Sequence, residues 1–327
     1  MLPRRIITII AVLLALIGLT WFAFNHQLVI DQIVVAQFQP AKEVSQIAKQ
    51  ASFTQRGNFL FLAARPELSD RDAFNVHCEK KSEQTVVLGC YIAPRNLYIY
   101  NVTDPRLNGV RQVTAAHEML HVAYDRLGYS EKRRINDLIT KALPSVQAAD
   151  PDLADRIKVY DKTEPGERNN ELHSIFGTEA ASLPPELEEY YSQYFTDRSV
   201  ITNFASQYDK VFDGVKNQQD QLVTDLDALA AEIDRLTNEY NAESNQLNSD
   251  IGSFNNKATI DGGFSSRSAF DAARNDLIYR QSLLDAKRQT INSKIDQYDQ
   301  KRAALESLNV KVKELNSKID SSSVPSL

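Results

Sequence analysis

Val113-Thr114-Ala115-Ala116-His117-Glu118-Met119-Leu120-His121-Val122-Ala123 is the stretch that decides how this 327-residue chain is read. Residues four apart share one face of a helix, so His117 and His121 can offer their imidazole nitrogens to a single ion one turn apart. Glu118 then lies beside that ion, where its carboxylate can take a proton from an activated water. The chain has five histidines in all, so this spacing around a glutamate rarely arises by chance. The flanking residues are uncharged, as a buried helix with one polar edge on a cleft requires. The competing reading is a core helix whose histidines satisfy ordinary hydrogen-bond partners.

With this pentapeptide the sequence resembles the zincin metallopeptidases, in which the HExxH helix follows an edge strand that holds the substrate. The resemblance implies an α+β catalytic domain, one Zn2+ per chain, and hydrolysis of a peptide or protein substrate. Upstream, Asn96-Leu97-Tyr98-Ile99-Tyr100-Asn101-Val102 is rich in aromatic and β-branched residues, and Asp104-Pro105 closes it with a turn. Such a strand could pair with an extended peptide through main-chain hydrogen bonds, or lie in a sheet interior. The sequence allows both.

A catalytic zinc takes three protein ligands and keeps a fourth position open. Tyr124 and Leu127 stand where the metzincin subgroup has a glycine and a third histidine, which excludes that subgroup. Asn170-Glu171-Leu172-His173-Ser174, followed by Phe176-Gly177, is similar to the second-helix pattern of the gluzincins. That likeness implies Glu171 as the third ligand and Glu118 as general base, then acid. Glu179 and His173 are the alternatives, as ligands or as groups bracing a ligand histidine from behind. Ile175 departs from the family pattern, which has an aspartate there, and the likeness spans only 96–179 as a site pattern. Tyr190, Tyr191 and Tyr194 read as packing residues, or as hydroxyls for an oxyanion.

Ile6 to Phe24 is an uncharged apolar run of nineteen residues, long enough to cross a bilayer core of about 30 Å. It reads as an uncleaved transmembrane signal anchor at 6–24. Arg4 and Arg5 precede the run, so the positive-inside rule leaves 1–5 in the cytoplasm and the rest extracytoplasmic, on a single-pass cell-membrane protein. The only cysteines, Cys78 and Cys90, lie close together and are expected to form a disulfide, which suits that placement. The closed loop is short, and the bond would contribute about 3 kcal/mol in the chain-entropy picture.

After a linker at 25–36, the mixed pattern of 37–205 reads as the gluzincin-like domain. It has a helix at Ala41 to Ala51, a short strand at Asn58 to Ala63, a helix opening at Ser69, strands near Thr85 to Leu88 and Asn96 to Val102, and helices thereafter. From 206 to 320 glycine and proline nearly vanish. Leu222, Leu226, Leu229, Ile233, Leu236 and Tyr240 keep a three-four spacing, and Phe270, Leu277, Leu284, Ile291, Tyr298 and Leu305 repeat every seven residues. A breaker at 252–268 folds these series into an antiparallel coiled-coil hairpin with arms of roughly 70 to 80 Å. Residues 321–327 read as a frayed tail.

The net charge of −6, without a basic cluster beyond the N-terminus, excludes a nucleic-acid footing. These readings converge on a membrane-anchored zinc metallopeptidase, with a coiled-coil partner or self-association through the hairpin. The alternative is a non-enzymatic cell-envelope scaffold or adaptor that carries a zincin-like binding domain.

Overall fold

Apolar residues recur in this chain mainly at three- and four-residue spacing, and the backbone follows them into helices. The computed structural model describes residues 4–78, 87–163 and 166–321. The chain forms two bodies, one of Met1–Val211 with Leu315–Leu327 and the other of Phe212–Glu314.

In the first body, α1 (Arg4–Gln37), α2 (Lys42–Gln50) and α3 (Gln55–Ala63) precede β1 (Pro66–Ser69) and α4 (Arg71–His77). Then come β2 (Gly89–Tyr91), β3 (Leu97–Tyr100), a single 3-10 turn, α5 (Val110–Asp125), α6 (Tyr129–Ala149), α7 (Pro151–Thr163), α8 (Arg168–Thr178) and α9 (Pro185–Tyr191). The long α10 (Ser199–Ala258) starts in this body. The strands form one small sheet of order β1-β3-β2, with β1 parallel and β2 antiparallel to β3. Pro66 faces Leu97 on one side of β3, and Tyr91 faces Leu97 on the other.

The expected α+β zincin-like (gluzincin-like) domain is therefore corrected: the protein is helical, with a sheet of three very short strands. The physical reason is that the pentapeptide dictates one helix and its ligands, while the surrounding apolar runs were free to choose helix over strand. Asn58 to Ala63, expected as a strand, lies in α3 because the Thr54 side chain caps that helix by accepting from Gly57 N at 3.0 Å. α4 opens one residue later than expected, on Asp70, whose side chain accepts from Ala73 N. Of the strand expected near Thr85 to Leu88, residues 85 and 86 lie outside the described residues, as does the tail at 322–327.

α5 is the centre of the core. It packs on α8, α2, α3, β2 and β3, and is buried on nearly every side from Val110 to Ala123. Ala115, Ala116, Met119, Leu120 and Val122 are completely enclosed, and full burial of a side chain the size of Met119 or Leu120 stabilises by about 1.5–3 kcal/mol. Gly177 allows α8 to approach this closely, since a Cβ there would sit 2.3 Å from Leu120 Cδ1 and 2.9 Å from Tyr191 Cε1.

The transmembrane anchor is corrected as well. Among the described residues no helix is long and apolar enough to cross a membrane. The apolar run is the front half of α1, which continues through Asn25, His26, Gln27, Asp31 and Gln32. Asp31 is buried and paired with Arg126 at the end of α5, at 2.8 Å, so this part of the helix belongs to the folded body. The cytoplasmic N-terminus, single-pass membrane localisation and extracytoplasmic placement rested on that anchor, and they fall with it.

In the second body, the rest of α10 runs antiparallel to α11 (Arg267–Ile319) up to Glu314. Cross-helix ion pairs mark the register: Asp225 with Lys301, Glu232 with Lys294, Glu243 with Lys287 and Asp250 with Arg280. Each advance along α10 meets a retreat along α11. Leu226, Leu229, Leu247, Leu284, Ile291 and Leu308 are buried between the arms, and they stabilise the hairpin more than exposed pairs worth about 0–1 kcal/mol each. The break is narrower than the sequence suggested, because α10 continues to Ala258 and Gly262, with φ of 74°, turns the chain.

Candidate metal centre

One turn of α5 separates His117 and His121, whose rings stand 4.8 Å apart at 77°. From α8, Glu171 faces both: its Oε2 is 3.4 Å from His117 Nε2 and its Oε1 is 3.5 Å from His121 Nε2. These separations are long for hydrogen bonds. They match the ligand-to-ligand edge of about 3.3–3.5 Å in a tetrahedron with metal–ligand bonds near 2.0–2.1 Å. Glu118 also brings a carboxylate oxygen to the pair, and the ligand atoms of His117, Glu118 and His121 all lie within 4.8 Å of one another. Two carboxylates thus meet the imidazoles, Glu171 from α8 and Glu118 from α5 itself.

The ring of His121 is held from behind. Its Nδ1 lies 3.0 Å from Asn170 Oδ1 and 3.3 Å from Ser174 Oγ. Asn170 Nδ2 donates to Glu167, which turns the amide oxygen toward the ring. A proton on Nδ1, donated to Asn170 Oδ1, would leave Nε2 as the lone-pair donor on the Glu171 side. Two imidazoles, one of them braced, and one carboxylate form a donor set that fits zinc with an open position.

Glu118 is buried, and its carboxylate rests on the backbone of β2. A Cβ at Gly89 would lie 2.7 Å from Glu118 Cγ and 2.8 Å from its Oε1. Only a glycine leaves room for the acid in this position. β2 and the histidines line one cleft of about 540 Å3, and β2 is an outer strand whose far edge pairs with no strand among the described residues. Leu97 to Tyr100, the core of the stretch expected as a strand, is buried at the sheet centre with neighbours on both sides, which leaves β2 to line the cleft.

The Cys78–Cys90 disulfide joins the end of α4 to β2, with Cα atoms 5.8 Å apart. Tyr91 closes the strand, donating from its hydroxyl to Asp125 and accepting from Arg126, each at 3.0 Å. Burial pushes the Tyr91 phenol up to about 12, against the downward pull of Arg126.

The two rival ligands are engaged elsewhere. Glu179 lines the same cleft but pairs with Arg156 at 3.0 Å. His173 points from the opposite face of α8 into the core, fully buried, with Nε2 2.9 Å from the Tyr190 hydroxyl. Burial, with help from His121 and His117, holds it down to about 3 and so uncharged. Tyr190 also contacts Tyr194, and Tyr191 donates to the His173 carbonyl at 2.7 Å, so all three tyrosines pack behind the centre. Sequence reasoning missed Gly89 and the bracing roles of Asn170 and Ser174. The Asn170-Glu171 dipeptide carried a signal for Asn170, whereas a lone glycine between two undistinguished segments carried none.

No protein-family model, curated protein or solved structure matches this chain.

Proposed function

We propose that the protein is a zinc-dependent hydrolase of peptide bonds, with His117, His121 and Glu171 as metal ligands and Glu118 as general base. The reading is carried by one observation: a carboxylate from α8 meets both imidazoles of α5 at tetrahedral-edge distances, with a second carboxylate alongside. Zinc, when bound there, supplies Lewis acidity that polarises a carbonyl and brings the pKa of water toward neutrality.

The rest of the chemistry belongs to the chain. Glu118 takes the proton of the attacking water on a carboxylate oxygen and returns it to the departing amine. Asn170 and Ser174 keep the His121 ring from turning. The outer edge of β2 offers main-chain hydrogen bonds to an extended substrate, which supports a peptide over a compact small molecule.

Metal analysis of the purified chain is the first test, with about one zinc per chain expected and its loss on His117→Ala or His121→Ala. Glu118→Gln should retain that zinc and lose peptide hydrolysis. Undiminished turnover in Glu118→Gln would remove the assigned base, and a wild-type chain that takes up no zinc would remove the reading itself.

A further inference from the structure

The end of α11 belongs to the first body, and there it ties down the segment that leads into β2. Ser321 is buried, and its Oγ donates to the Val87 carbonyl at 2.8 Å, two residues before Gly89. Asn75 donates to the Ser321 carbonyl, and Arg71 donates to that of Ser317 at 2.9 Å, so α4 grips the same stretch. Cys78, at the end of α4, is bonded to Cys90 within β2. Residues 317–321, α4 and the disulfide thus clamp a three-residue strand that, among the described residues, has only one paired neighbour. Gly89 of that strand is the floor on which the Glu118 carboxylate lies.

We infer that Ser321 is a positioning residue: the strap from Ser317 to Ser321 holds β2 at the height that aims Glu118. The inference rests on the hydrolase reading for its consequence, but the strap itself is a statement about β2. A short outer strand gains little from its own ladder, so each external tie sets a sizeable share of its order. The carboxylate follows because a shift of the Gly89 backbone opens or closes the space beneath it.

The test is hydrogen–deuterium exchange on the full chain with zinc added, comparing wild type with Ser321→Ala and with Arg71→Ala/Asn75→Ala. Amides of 88–91 should exchange faster, by about fivefold for one lost hydrogen bond. Those of α5 and α8 should keep their rates, zinc content should hold, and kcat on a peptide should fall severalfold. Unchanged exchange in β2, or an equal rise in α5, would overturn the strap. Faster exchange in β2 with unchanged kcat would overturn its link to Glu118. If β2 loosens while the zinc-loaded wild type hydrolyses no peptide, the hydrolase reading fails and the strap stands.

Discussion

The amide oxygen of Asn170 lies 3.0 Å from Nδ1 of His121, so the residue next to the candidate third ligand also orients the second. Groups that brace a ligand imidazole typically matter 10–100-fold in metal affinity, by roughly that factor. Asn170→Ala should therefore weaken zinc binding by about 10–100-fold, whereas Asn170→Asp, which keeps an acceptor there, should retain most of it. Competition against a chromogenic chelator measures both. Equal affinity in Asn170→Ala would assign the orientation of the ring to Ser174 alone.

Gly89→Ala would place a methyl group where the Glu118 side chain now lies, 2.7 Å from Cγ and 2.6 Å from Thr114 Cγ2. The longer, more flexible side chain gives way, so the acid moves and the ligands do not. Zinc content should be unchanged while kcat drops toward the level of the missing base, about 10^2 to 10^4-fold. A variant with full turnover would show that Glu118 has room to act from another rotamer.

What the sequence disclosed about this site was local. The clustering of His117, Glu118 and His121 was legible because helical periodicity alone puts the two imidazoles on one face, and the stretch around Asn170 pointed to Glu171, which the fold brings to both rings. Cys78 and Cys90 were legible because they are the only two of their kind. The fold around them was not. Asn58 to Ala63 is too short and too uniformly apolar for period to separate helix from strand, and the deciding residue, Thr54, sits outside the run. Gly89 matters only because β2 is pressed onto α5, a long-range contact that has no counterpart in local spacing. The apolar run of α1 passes into a polar stretch that reaches Asp31, whose partner Arg126 lies 95 residues away, a contact that local hydropathy does not disclose.

Gly177→Ala sets two effects against each other. Replacing a helical glycine by alanine favours the helix by about 0.5–1 kcal/mol. The new methyl would meet Leu120 Cδ1 at 2.3 Å and Tyr191 Cε1 at 2.9 Å, and both side chains are completely enclosed. Overpacking of this kind costs about 1–3 kcal/mol, so the net change should be destabilising. Urea unfolding should show a lower midpoint with an unchanged slope. A higher midpoint would mean that α8 can draw back from α5 without loss.

Tyr91 gives the protein an alkaline limit whose sign can be worked out. Its phenol titrates at about 12 in the fold and at 10.0 when free, because burial disfavours the phenolate. Between those values the unfolded chain has released a proton that the folded chain keeps, so stability falls as pH rises. The contribution of Tyr91 is complete below pH 10 and is lost as pH rises through 12. Tyr190 and Tyr191 are raised by burial as well and add to the same decline, so the total curve cannot isolate Tyr91. The difference between wild type and Tyr91→Phe can, since every other group cancels. That difference, measured by urea unfolding, should stay constant from pH 8 to 10 and shrink above 10. A constant difference up to pH 11.5 would mean that the phenol ionises in the fold as readily as in water, and that the contacts with Asp125 and Arg126 are too wet to resist it.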